Sequence, residues 1–151
     1  MQTGEILSVN TSVRKGTVKR PVPSALLLTD FGIEGDAHAG VPNDGGFHRQ
    51  LSLLADESVE TLRAKGMPDI RPGDFGENLT IRGVELRKLP VGTKISAGEA
   101  LLEVTQIGKE CRQGCEIRRI TGDCVMPREG VFARVLRGGI VRPGDRLFVL
   151  S

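Results

Sequence analysis

Apolar residues in this chain come in short runs, and Gly and Pro interrupt nearly every one of them. That rhythm predicts many short strands joined by tight turns, and a barrel is the architecture it suggests. Residues 6–9, 25–28, 50–54, 78–81, 93–96, 100–107 and 146–150 read as strands, with β-branched residues and partial alternation. Two stretches read as helices. From Asp56 to Gly66 there is an Asp placed to cap the N-terminus, acids in the first turn, bases in the last and a Gly stop. From 129 to 137, Val131, Phe132, Val135 and Leu136 fall on one helical face before Gly138-Gly139. The tetrapeptide Arg-Pro-Gly-Asp occurs at 71–74 and again at 142–145, with Pro and Gly where a type II turn needs them; Val91-Gly92-Thr93 is a third strand-entry turn. The expectation is a mainly β fold, a closed or partly closed β-barrel with two or three short helices.

Composition narrows this picture. A chain of 151 residues with 38% hydrophobic and 26% charged residues can bury a single core, and no linker or low-complexity tract marks a second domain. Trp and Tyr are absent and only five Phe are present, so stacking on single-stranded nucleic acid has few side chains to use. Apolar stretches such as 25–28 are far short of the roughly 20 residues of a membrane helix. The N-terminal residues lack the basic and apolar regions of a signal peptide, so a cytoplasmic location is expected. The 21 basic and 19 acidic residues are mostly interspersed. One cluster stands out: Arg14, Lys15, Lys19 and Arg20 read as a strand edge blunted by charge, with an anion contact as the alternative.

The strongest chemical signal is three cysteines within fourteen residues, Cys111, Cys115 and Cys124. Their odd number in a reducing compartment argues against a disulfide framework. Lys109 and Arg112 flank Cys111 closely enough to favour its thiolate, the form that attacks sulfur or binds a soft metal. Cys115 and Cys124 are either further thiols of the same site or small buried hydrophobes. With His38 or His48 the three could also ligate zinc, although the usual pair of Cys-x-x-Cys knuckles is missing. Both histidines lie in a Gly-rich loop around Gly35-Asp36-Ala37-His38 and Phe47-His48-Arg49-Gln50, where Arg49 is placed to grip an anion. A third segment compresses Asp74, Glu77 and Asn78 beside two glycines, which reads equally as a tight turn or as backbone opened to a ligand. No nucleophile elbow, Walker loop, His-Glu-x-x-His or dinucleotide fingerprint occurs.

Gly35-Asp-x-His, Arg49-Gln-x-Ser-Leu, Gly73-x-Phe-Gly-Glu-Asn-Leu, Met126-Pro-Arg-Glu-Gly-Val-Phe-Ala-Arg-Val and Pro143-Gly-Asp stand in the order seen in MOSC domains (the molybdenum cofactor sulfurase C-terminal domain), here in a stand-alone bacterial form. The chain resembles that family over residues 4–150. The resemblance implies a barrel of the pyruvate-kinase-insert kind that binds the molybdenum cofactor (molybdopterin) or carries sulfur to it through an essential cysteine. It points to Asp36, His38, His48, Arg49, Phe75, Glu77, Asn78 and Arg128 as cofactor-binding residues, and to Cys111 as the thiol that ligates molybdenum. Other members often read Pro-Cys or Arg-Cys where this chain reads Glu110-Cys111, so Cys115 and Cys124 stay open. Larger relatives attach a pyridoxal-phosphate desulfurase domain or electron-transfer modules. A cysteine desulfurase or a reductase is therefore the implied partner, and the implied activity is that of a molybdenum-cofactor-dependent reductase or a sulfur transferase component. A non-catalytic pterin- or anion-binding module and a zinc-stabilised structural domain are the competing readings.

Overall fold

A computed structural model describes residues 2–14, 18–37, 39–40, 50–66, 68–108 and 129–150. In chain order they form β1 (Thr3–Thr11), β2 (Arg20–Val22), β3 (Ala25–Leu28), β4 (Gly32–Ile33), β5 (Leu51–Ala55), α1 (Asp56–Ala64), β6 (Leu79–Arg82), a single 3₁₀ turn (Leu86–Lys88), β7 (Lys94–Ala97), β8 (Ala100–Ile107), β9 (Val131–Arg137), β10 (Gly139–Val141) and β11 (Arg146–Val149). Seven strands close a barrel in the order β1, β6, β5, β9, β8, β7, β11 and back to β1. The long β1 makes closure possible by taking two partners along one edge. Thr3–Glu5 pair with β11, and Val9–Thr11 pair with β2. β10, β3 and β4 form a second, small sheet.

Every pairing in the barrel is antiparallel except β5 with β6, which run parallel with Leu53 opposite Leu79. A parallel pair needs a crossover, and α1 supplies it. The inward positions are apolar and fully buried: Ile6, Leu53, Leu79, Ile95, Leu102 and Val135 belong to one cluster. Each such side chain contributes about 1.5–3 kcal/mol relative to exposure. A second cluster lies outside the barrel wall, where Val59 and Leu62 of α1 pack with Leu54, Phe75 and Phe132.

The predicted helix at 129–137 is a strand. Val131, Ala133 and Val135 face the barrel interior, and Phe132 fills the layer under α1. With Val131, Phe132 and Ala133 all buried, the first half of the segment lacks polar alternation, so its apolar positions fit a helical period as well as an extended one. It lies between β8 and β5, pairing with both. The first predicted helix forms, with one change at its start. Ala55 holds the cap position without a side-chain bond, and Asp56 sits in the first turn, 3.1 Å from Arg63. β5 runs straight into the helix, leaving no loop residue to cap it. Both Arg-Pro-Gly-Asp segments turn as expected. Gly73 and Gly144 have φ of 87° and 93°. Asp74 and Asp145 donate their N–H to the carbonyls of Arg71 and Arg142, both at 3.1 Å.

Candidate functional site

Ile6, Val9, Leu53, Leu79 and Ile81 belong to the barrel core, whereas Ser8, Asn10, Ser52, Asn78 and Thr80 lie on the other face of β1, β5 and the start of β6; in β1 a register shift between Ile6 and Ser8 changes the phase of the alternation. These polar side chains are buried, so they must be bonded, and they bond to one another. Asn78 Oδ1 accepts from the Ser52 N–H at 3.0 Å and the Ser52 hydroxyl at 3.1 Å, while its amide nitrogen donates to the Asn10 carbonyl at 3.1 Å. The Asn10 amide donates to the Glu77 carbonyl and to Thr80 Oγ1. Thr80 in turn donates to Glu77 Oε2 at 2.8 Å, an oxygen that also accepts the Gly73 N–H at 3.1 Å. Only glycine fits at 73, because a Cβ there would stand 2.3 Å from the Lys19 carbonyl oxygen.

Through that contact the network reaches the next loop. The Lys19 N–H donates to the Gly73 carbonyl at 2.7 Å. Its ammonium, 1% exposed, lies 2.8 Å from Asp36 Oδ1 and 3.1 Å from Ser12 Oγ. Asp36 also accepts the Ser12 N–H, and the Ala37 N–H donates to the Ser12 carbonyl. Lys19 is thus no part of a solvated basic edge. The carboxylate that pairs with it lies seventeen positions along the chain, where the local charge pattern gives no hint of it.

Among the described residues, Gln50 Nε2 and Glu77 Oε1 are buried polar atoms with no hydrogen-bond partner. Gln50 uses its other amide atom, Oε1, to accept the Val135 N–H at 3.2 Å. The parallel register of β5 and β6 brings Gln50, just before β5, and Glu77, two positions before β6, to the same end of the pair. Burial raises the pKa of Glu77, against the opposing effect of the Gly73 N–H and the Thr80 hydroxyl. The buried acid is consequently biased toward its neutral form.

Of the residues expected in a site, Asp36, Glu77 and Asn78 are joined in one network, while Phe75 packs beneath α1. His38, His48, Arg49, Arg128, Cys111, Cys115 and Cys124 lie outside the described residues. The ends of the cysteine-bearing connection are described: the Gly108 N–H donates to the Gly130 carbonyl at 2.6 Å. Among the described residues no group of three His, Cys, Asp or Glu side chains could hold a metal ion, and no helix is long and apolar enough to cross a membrane. Sequence reasoning missed Asn10, Ser52, Thr80 and the burial of Lys19. The available signal was polar residues at alternate positions of otherwise apolar strands.

A model of the MOSC domain matches residues 36–148. The chain is 27% identical over 143 residues to the uncharacterized protein YflK of Bacillus subtilis (strain 168), covering 92% of this chain and 65% of that protein. It is 31% identical over 114 residues to protein YiiM of Escherichia coli (strain K12), covering 72% of this chain and 50% of that one. The chain thus spans between half and two thirds of the length of these curated relatives. Among solved structures, the YUAD protein of Bacillus subtilis superposes with a TM-score of 0.81 at 22% identity, covering 96% of this chain and 94% of that chain. YiiM from Geobacillus stearothermophilus superposes with a TM-score of 0.72 at 20% identity, over 98% of this chain and 75% of that one.

Proposed function

We propose that this chain, which belongs to the MOSC domain family, binds the molybdenum cofactor or carries sulfur to it, using a thiolate from the 109–128 connection. The observation that carries this reading is the pair of unpartnered buried atoms, Gln50 Nε2 and Glu77 Oε1, at one end of the barrel. An amide donor and a carboxyl group suit the hydrogen-bonding edge of a pterin, and buried groups of this kind lose free energy until something pairs with them. Arg49, which directly precedes Gln50, and Arg128 supply charge for the cofactor's phosphate; His38 and His48 belong to the same sequence neighbourhood as Asp36 and Arg49. When bound, the cofactor supplies a redox-active metal with a soft-ligand position, and Cys111 between Lys109 and Arg112 is the thiol assigned to it.

Sulfur carriage requires a donor, and a cysteine desulfurase fits that need. Its persulfide passes its terminal sulfur to the Cys111 thiolate, leaving the donor's own thiolate behind. Reduction at molybdenum would instead need an electron-supplying reductase. The test is to purify the full chain and its Cys111→Ser, Cys115→Ser and Cys124→Ser variants from a molybdenum-replete host. Molybdenum, pterin and zinc content, thiol alkylation rate and melting temperature are then measured for each. We expect Cys111→Ser to lose molybdenum and persulfide with little change in melting temperature, and Arg49→Ala to lose pterin. Wild-type protein without molybdenum or pterin, or a Cys111→Ser variant that keeps metal and sulfur, overturns the reading; stoichiometric zinc would favour the structural domain.

A further inference from the structure

At the opposite end of β5 from Gln50, a cleft of about 400 Å³ opens between α1 and residues 83–87. Ala55, Val84 and Leu86 form its apolar floor and are nearly fully buried. Its rim is polar, with the hydroxyls of Ser58 and Thr61, the carboxylates of Glu57, Glu85 and Glu129, and the guanidinium of Arg87. An apolar floor with a few convergent polar groups is how small-molecule sites are built. The rim's charge is one-sided, three carboxylates against one guanidinium, and that one is engaged by Glu129 at 3.6 Å. Glu85 is paired with Lys88 at 2.8 Å. Among the described residues Glu57 accepts the neutral Gly83 N–H, at 2.9 Å, and Glu129 accepts the Ser58 hydroxyl at 2.7 Å. A carboxylate has about four acceptor positions, so Glu57 and Glu129 retain capacity for a ligand's N–H groups.

Glu129, on the rim of the cleft, adjoins Gly130, whose carbonyl closes the base of the cysteine-bearing connection. We propose that this cleft is a second binding site, taking a small flat organic cation of the arylamidine class. The ring would lie on Ala55, Val84 and Leu86, and its N–H groups would meet Glu57 and Glu129. The proposal stands on the cleft alone and does not require bound molybdenum.

Benzamidine is the probe and benzoate its matched anion, each titrated into the isotope-labelled full chain and followed by two-dimensional NMR. Benzamidine should shift the amides of residues 57–61 and 83–87, and benzoate should leave them unmoved. Glu57→Gln keeps an acceptor for the Gly83 N–H while removing the charge, and should weaken benzamidine binding about tenfold. Thr61→Trp, on an exposed position of α1, should abolish it by filling the cleft. Equal shifts with benzoate, no shifts with benzamidine, or an unchanged dissociation constant in Glu57→Gln overturns the proposal. Molybdenum content of the same samples reads the cofactor assignment separately.

Discussion

Glu77 has one carboxylate oxygen held by two donors and another that meets none, so ionising it in place is costly. Its pKa is raised in the folded chain. Between the unfolded value, about 4.3, and that raised value the native state holds more protons than the unfolded state, so this group makes stability fall as pH rises through the window. Glu77→Gln retains an acceptor for Gly73 and Thr80 and cannot ionise. Its stability relative to wild type should therefore increase from pH 4 toward pH 8, measured by urea midpoints, and a difference independent of pH would refute the account. Lys19 makes the contrasting case. Its charge is compensated by Asp36 in a site with almost no solvent, so Lys19→Met removes the cation that lies 2.8 Å from a buried carboxylate. The expected loss is about 3 to 5 kcal/mol. A loss below about 1 kcal/mol in chemical denaturation would show that water reaches the pair.

At the level of elements, Val131–Ala133 of β9 should be among the last residues to exchange their amide hydrogens, because they are paired on both sides and buried on both faces. β4, two residues long at the edge of the small sheet, should exchange early. Hydrogen exchange followed by mass spectrometry distinguishes these, and rapid exchange across β9 would contradict the pairing. The same strand marks where sequence reading stops. Ala25–Leu28 and Ala100–Ile107 were legible to the residue, the first as a short apolar run bounded by polar and turn residues, the second by its β-branched residues. β9 was not legible, because double burial erases the period that separates strand from helix. β2, β4 and β10 are too short to carry a period at all. Asp36, Glu77 and Asn78 stood out as polar residues beside glycines, but their shared network depends on Lys19, just before β2, and Asn10 of β1, which only folding brings near.

For the molecule as a whole, one short pairing closes the ring: Thr3–Glu5 against Arg146–Phe148. Deleting residues 146–150 should expose the facing edges of β1 and β7 and remove Leu147 from the core. We expect loss of cooperative thermal unfolding, and a truncated chain that still melts sharply would mean the barrel does not need that closure. The Gly108–Gly130 hydrogen bond has a different implication for how such a scaffold changes over time. Because the barrel wall ends in a bond between the two stems, the twenty-one residues between Gly108 and Gly130 have their ends held together. The entropy of closing a loop grows only logarithmically, about 0.6 kcal/mol for each doubling of length. Lineages could therefore lengthen, shorten or rewrite the cysteine-bearing connection almost freely, at a small stability cost to the wall that carries it, so that chemistry diverges while architecture stays put.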